Sequence, residues 1–164
     1  MSQDFSHFDE RGQARMVDVS DKPATRRTAT ARGFVRMSAE TLRQLPHTPK
    51  GNPLEIARIA GIAGAKRTAD LIPLCHPLAL THIDVQARLC ENGVELTSTV
   101  TTNAGTGVEM EALTAVAVAA LTVYDMCKAV DKSMEIGPFV LLEKTGGRSG
   151  TYRREASRQK GLPR

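Results

Sequence analysis

The chain has 164 residues, 41% of them hydrophobic and 24% charged, which is the length and balance of one folded domain. A chain this size buries roughly 70% of its unfolded surface, so a core forms without disulfide or metal staples. Aromatic residues amount to 4% with no Trp, which argues against base-stacking platforms and aromatic cages. The net charge of +4 is a property of one end: residues 144–164 hold seven basic residues and one acid, leaving fifteen basic and seventeen acidic residues elsewhere. A short basic tail is ordinarily solvated and gives no ground for a nucleic-acid partner.

Cys75, Cys90 and Cys127 are far apart and form no CxxC pair. An odd count and the lack of a secretory apolar stretch point to a reducing cytoplasm. The longest apolar run, residues 112–124, falls short of the roughly 20 residues that cross a bilayer, so no membrane partner is expected.

Residues 1–15 are polar and aperiodic and read as a flexible arm. A first strand is expected over 31–37. Ser38 then caps a short helix with Glu40 in its first turn, ended by Pro46. Asn52, Pro53 and Glu55 form a capping-box pattern, and Ile56, Ile59, Ala60 and Ala63 recur at helical spacing, so a helix is expected over 53–70. Pro73 and Pro77 pin an irregular segment around Leu74, Cys75 and His76. Alternation from Ile83 to Leu89, the Asn92-Gly93 turn signal and alternation from Val94 to Val100 predict a hairpin. After Gly105-Thr106-Gly107 a long Ala- and Val-rich helix is expected over 108–129, then a buried strand over 139–142. Residues 151–164 lack a hydrophobic pattern and read as a disordered basic tail.

Setting the short helix aside, the order is βαββαβ in one domain, 1–164. The expectation is an α+β, ferredoxin-like fold, with a four-stranded antiparallel sheet and helices on one face. The other sheet face would stay partly apolar, a reason to expect oligomers.

The polar residues give weaker signals. Cys75 and His76 are adjacent on an extended segment and point to opposite sides, which disfavours a nucleophile–base dyad; a structural turn and a binding site both remain open. Glu109 and Glu111 open the long helix, where acids favourably meet the helix dipole. They lie about 200° apart around the axis, so at least one must face an interface or cleft. Asp125 and Lys128 share a helix face. They read either as an ordinary surface ion pair or, at the end of an uncharged stretch, as a partly buried acid/base pair. Fourteen residues separate Glu111 from Asp125, about 21 Å of helix. Lys50-Gly51 and Thr145-Gly146-Gly147-Arg148-Ser149-Gly150 are loops carrying cations, and together they suggest an anionic small molecule. No set of metal ligands, for Mg²⁺ or another ion, is legible.

Several segments in order resemble the cyclic pyranopterin monophosphate synthase family, the molybdenum cofactor biosynthesis accessory protein C. They are Met16-Val17-Asp18-Val19-Ser20, Ala57-Arg58-Ile59-Ala60-Gly61-Ile62, Lys66-Arg67-Thr68, Asp70-Leu71-Ile72-Pro73-Leu74-Cys75-His76-Pro77-Leu78, Gly107-Val108-Glu109-Met110-Glu111-Ala112-Leu113-Thr114 and Tyr124-Asp125-Met126-Cys127-Lys128-Ala129. The resemblance spans residues 16–150, which would be the catalytic core. It implies a ferredoxin-like subunit in a homohexamer, a trimer of dimers, with active sites between subunits. It further implies a lyase converting 3′,8-cyclo-7,8-dihydro-GTP to cyclic pyranopterin monophosphate and pyrophosphate; no cofactor is expected, and the sequence does not decide whether Mg²⁺ assists the leaving pyrophosphate.

Carried over by position, the resemblance implies that Lys128 moves protons while Asp125 holds and tunes it, and that Lys50 is a second acid/base or a triphosphate ligand. Leu74, Cys75, His76, Met110 and Glu111 match substrate-binding positions, with Glu109 and Arg27 in support. Arg148 stands where the family usually has a lysine; an anion contact survives that exchange, but deprotonation of the side chain does not. The rival readings are a non-catalytic nucleotide-binding module and an RNA-binding ferredoxin-like domain, the latter disfavoured by the missing aromatics.

Overall fold

A computed structural model describes residues 7–9, 11–45 and 51–155. Its elements are β1 (Thr25–Arg36), α1 (Ala39–Gln44), α2 (Pro53–Lys66), α3 (Thr68–Leu71), β2 (Leu80–Cys90), β3 (Gly93–Ala104), α4 (Glu109–Cys127), β4 (Glu135–Ile136), β5 (Val140–Thr145) and β6 (Tyr152–Arg153). All pairings are antiparallel. The sheet runs β2-β3-β1-β5-β6, with β4 on β1.

Six strands therefore replace the expected four. Two of them, β4 and β6, are two residues long, too short for alternation to register. The sheet's centre is β1, which begins six residues earlier than its sequence signal because its first half, Thr25 to Thr30, is threonine and arginine apart from Ala29. Its inward side carries Ala29, Ala31, Gly33 and Val35, all buried. Such small residues let a helix lie close to the strand.

That helix is α4, which packs on β1 and β3 while α2 packs on β2 and on α4. Its length and hydropathy would suit a membrane span, but half of that stretch is buried in the protein. Ala112, Ala115, Val116, Ala119, Ala120 and Val123 face an aliphatic core with Val35, Val85, Leu96 and Val100. Fully burying a valine or leucine contributes about 1.5–3 kcal/mol. The α2–α4 crossing is tight: a Cβ on Gly61 would stand 2.9 Å from the Ala115 carbonyl oxygen.

The caps follow the sequence with one difference. Ser38 accepts from the Thr41 N–H, and Asn52 accepts from Leu54 and Glu55. Glu55 does not complete a capping box; its carboxylate instead pairs with Arg58 at 2.9 Å. Pro46 and Lys50 lie outside the described residues. The helix expected over 53–70 breaks at Arg67, where φ is −113°. In the β2–β3 hairpin, Cys90 pairs with Gly93 and the turn is Glu91-Asn92. A Cβ on Gly93 would meet the Val35 carbonyl at 2.1 Å, so this glycine serves strand contact.

The open sheet face is not the apolar surface expected. Outward positions on β1 and β3 carry Thr28, Thr30, Thr97, Thr99 and Thr101, and hydroxyls pair across the strands at 3.2 Å (Thr28 with Thr101, Thr30 with Thr99). Exposed apolar side chains include Ile59 and Leu121 on the helices and Leu89, Ile136 and Tyr152 on the strands.

Candidate active site

The glycine-rich loop after β5 and the first turn of α4 enclose a cavity of about 890 Å³. Four cations (Lys22, Arg27, Lys144 and Arg148) and two acids (Asp21 and Glu109) stand on its wall, which makes it a site for an anion. Arg27 is fixed by donating to the carbonyls of Ala104 at 2.9 Å and Gly105 at 3.0 Å. Gly147, at φ +73°, lets the loop close on that guanidinium, since a Cβ there would fall 2.0 Å from it. Lys144 lies 3.5 Å from Glu109 and donates to the Ser149 hydroxyl at 2.5 Å. Among the described residues, the Thr25 hydroxyl, on the same wall, is the buried side-chain oxygen with no hydrogen-bond partner.

A second, smaller cavity of about 110 Å³ is lined by Lys66, Thr68, Asp70, His76 and Glu111 among others. Glu111 is 4% exposed. Burial pushes its carboxyl pKa up, and Glu109 adds to the rise. Burial, and then the charge of Glu111, also raise the Cys75 thiol. Cys75 is thus held as a thiol, not as a ready nucleophile. The His76 ring donates from Nε2 to the Val17 carbonyl at 2.8 Å, turned toward the N-terminal segment.

Asp125 and Lys128 sit at the far end of α4, in a 2.6 Å ion pair. Of the two readings the sequence leaves open, the protomer has the exposed ion pair and not the partly buried one: the side chains are 64% and 53% exposed. Val123 and Cys127 turn inward from the same helical stretch, which sends Asp125 and Lys128 outward. The Asp125 hydrogen bond holds the Lys128 ammonium above its ordinary pKa.

One protomer therefore gathers Arg27, Glu109 and Arg148 around the large cavity, and His76 and Glu111 around the small one, with Cys75 near Glu111. Leu74 is half-buried and Met110 is exposed, and neither lines these cavities. Asp125 and Lys128 remain apart, and Lys50 lies outside the described residues. Among the described residues no three His, Cys, Asp or Glu side chains gather as a metal site.

Lys144 is the residue the sequence reading overlooked, counted there only as the start of a basic end. It pairs across the strands with Ala29, whose side chain is buried beneath the helices. Directly paired residues share a sheet face, so Lys144 emerges on the helix side beside Glu109. Extending the predicted strand through Thr145 would have carried that signal.

Residues 16–147 match the MoaC family. The chain belongs to the MoaC family. It is 61% identical over 156 residues to "Cyclic pyranopterin monophosphate synthase 1" of Mycobacterium tuberculosis (strain ATCC 25618 / H37Rv), covering 93% of this chain and 92% of that protein. It is 59% identical over 156 residues to the cyclic pyranopterin monophosphate synthase of Thermomicrobium roseum, covering 93% and 94%. The Roseiflexus sp. (strain RS-1) protein of the same name is 60% identical over 153 residues, covering 91% and 97%.

The MoaC match takes in both ends of α4, the Leu74-Cys75-His76 segment, Arg27 and Lys144. It stops at Gly147, one residue before Arg148. Within that family span, the geometry offers a cationic cavity, a buried carboxyl on the wall of a second cavity and a separate lysine–aspartate pair.

Proposed function

We propose that this chain is a cyclic pyranopterin monophosphate synthase. It is a lyase that converts 3′,8-cyclo-7,8-dihydro-GTP to cyclic pyranopterin monophosphate and releases pyrophosphate, in molybdenum cofactor biosynthesis. The observation that carries the proposal is the cavity where Arg27, Lys144 and Arg148 face the Glu109 end of α4, in a chain about 60% identical to proteins of that name. Cations in a walled cavity meet a triphosphate and stabilise the charge that grows on departing pyrophosphate.

Arg27 and Arg148 hold phosphate oxygens, and Lys144 bridges between them and Glu109. Glu111 and His76 bind the purine-derived part, with Leu74, Cys75 and Met110 supplying wall and backbone contacts. Lys128 moves protons during ring opening and rebuilding, and Asp125 holds it. Lys50 is a second acid/base or a triphosphate ligand. No cofactor is required for these roles.

About 21 Å of helix separates Glu111 from Asp125, so one small substrate cannot touch both ends of α4 in one protomer. A site shared between subunits resolves this, and a homohexamer arranged as a trimer of dimers is the assembly proposed. Exposed Ile59 and Leu121 on the helix surfaces support burial against another copy. Burial there would also desolvate Lys128 and bring its pKa down toward the working range of an acid/base. The four long strands with α2 and α4 are read as the ferredoxin-like βαββαβ unit, supported by the order β2-β3-β1-β5. The protein acts in the cytoplasm, with three free cysteines.

The exposure of the Asp125–Lys128 pair favours one rival, a nucleotide-binding module in which the pair is an ordinary surface bridge. Purified protein incubated with 3′,8-cyclo-7,8-dihydro-GTP, with GTP as control, separates the two. Pyrophosphate and cyclic pterin in equal amounts from the cyclic substrate alone are expected. A folded protein that binds this substrate without turnover would establish the rival.

A further inference from the structure

We propose that Asp131 is a positioning residue for the Asp125–Lys128 pair, fixing the turn from which that pair projects. This rests on the catalytic role proposed above for Lys128.

Asp131 is 9% exposed, a buried carboxylate three residues beyond Lys128. Both of its oxygens are engaged. Oδ1 accepts from the Ser133 N–H at 2.9 Å and the Ser133 hydroxyl at 2.6 Å. Oδ2 accepts from the Ser38 N–H and the Thr41 hydroxyl, each at 3.2 Å. The first pair of bonds closes the loop after α4. The second crosses to α1, and Thr41 is 2% exposed, so this bond is made away from water. Hydrogen bonds to a carboxylate in such surroundings are strong and directional.

The link bears on Lys128 because nothing in the core grips that side chain. More than half of it is exposed, so its direction follows from the backbone beneath. That backbone is bracketed by the Lys128 N–H on the Tyr124 carbonyl at 2.8 Å and by the Val130 and Asp131 N–H groups on the Cys127 carbonyl. The Tyr124 hydroxyl donates to the Lys132 carbonyl at 3.3 Å and holds the other side of the turn. Asp131 is the side chain that ties this local turn to the start of α1. Catalysis needs a proton-transfer group held within a fraction of an ångström, and a displacement of about 1 Å costs up to about a hundredfold in rate.

An Asp131→Asn change keeps the shape but turns one acceptor into a donor pair. The amide nitrogen then faces either Ser38 and Thr41 or Ser133, all of which donate. A positioning role predicts a loss in kcat, because substrate is held chiefly at the other end of α4 in each subunit. A merely structural role predicts loss of folded protein with the remaining molecules normal.

The experiment measures pyrophosphate release from 3′,8-cyclo-7,8-dihydro-GTP by the full-length protein and three variants: Asp131→Asn, Thr41→Val and Thr41→Ser. Asp131→Asn is expected to lower kcat about tenfold or more with KM within about twofold. Thr41→Val, which keeps the volume but loses the hydroxyl, lowers kcat several-fold. Thr41→Ser restores the hydroxyl and stays within about twofold of wild type. A kcat for Asp131→Asn within twofold of wild type overturns the inference and leaves the catalytic reading intact. So does a Thr41→Ser variant as slow as Thr41→Val, and the Thr41 pair decides the matter if Asp131→Asn does not fold. An inactive wild-type protein fails the catalytic reading itself and takes the inference down with it.

Discussion

Lys144 and Glu109 meet at 3.5 Å across the mouth of the large cavity, one near the end of β5 and the other in the first turn of α4. Their side chains are 22% and 31% exposed, so solvent still screens the pair and its worth to the fold is at most about 1 kcal/mol. Its position beside Arg27 and Arg148 gives it a larger part in binding. A charge-assisted hydrogen bond to phosphate is worth about 1.5–3 kcal/mol, or roughly ten- to a hundredfold in binding. Lys144→Ala should lower kcat/KM for the cyclic GTP derivative by that factor while urea denaturation shifts by about 1 kcal/mol or less. A variant with normal kinetics would remove Lys144 from the site.

Lys128→Ala and Asp125→Asn should each leave the urea midpoint near wild type, since both side chains are largely exposed. Turnover is where they should differ. Loss of a positioned proton-transfer group costs about a hundred- to ten-thousandfold, and Lys128→Ala should fall in that range. Asp125→Asn should lose less, because the lysine remains. Steady-state pyrophosphate release checks both, and full activity in Lys128→Ala would convert the pair into a surface bridge.

Much of this site was legible in the sequence, but unevenly. The helix caps at Ser38 and Asn52, the β2–β3 hairpin and the course of α4 follow from local chemistry that acts within a few residues. The sequence could not choose between an exposed and a partly buried Lys128, because an uncharged stretch says that a helix is buried without saying where its last turn leaves the core. Lys144 was missed for a related reason. Its role depends on pairing with Ala29, more than a hundred residues away, and on a strand whose end lies in a polar sequence. Asp131 is harder still: its partners Ser38 and Thr41 belong to another element, and no spacing rule connects them.

Gly61 tests the close crossing of α2 and α4. A Cβ there would stand 2.9 Å from the Ala115 carbonyl oxygen and 3.1 Å from a Val85 methyl, and a backbone carbonyl in a helix cannot turn aside. Gly61→Val adds two further carbons at that point. Overpacking of this kind costs about 1–3 kcal/mol, and urea denaturation should read a loss in that range. An unchanged midpoint would mean that the helices separate freely and that the small-residue seam is not what sets their spacing.

Asp131 and Glu111 should shape the pH dependence of stability in opposite senses. The hydrogen bonds from Ser133, Ser38 and Thr41 hold the Asp131 carboxyl at about 2, below its unfolded value. Its contribution is therefore complete above the unfolded carboxylate pKa of about 3.9 and is lost as pH falls through about 2. Burial raises the Glu111 carboxyl instead, so the folded state binds its proton more tightly than the unfolded state does. Stability then falls as pH rises from the unfolded pKa through the folded one, and the penalty persists at neutral pH. Glu111→Gln should accordingly melt higher than wild type at pH 7, with the gap narrowing toward pH 4 and closing below it, as the wild-type carboxyl becomes protonated in both states. The same variant should lose turnover, because a carboxyl kept buried at a cost to the fold is being kept for the substrate. Thermal melts at pH 7 and pH 4 with matched activity assays test the pair of statements. A Glu111→Gln variant that is less stable than wild type at pH 7 would mean that the carboxylate is satisfied in the folded protein and anchors the first turn of α4.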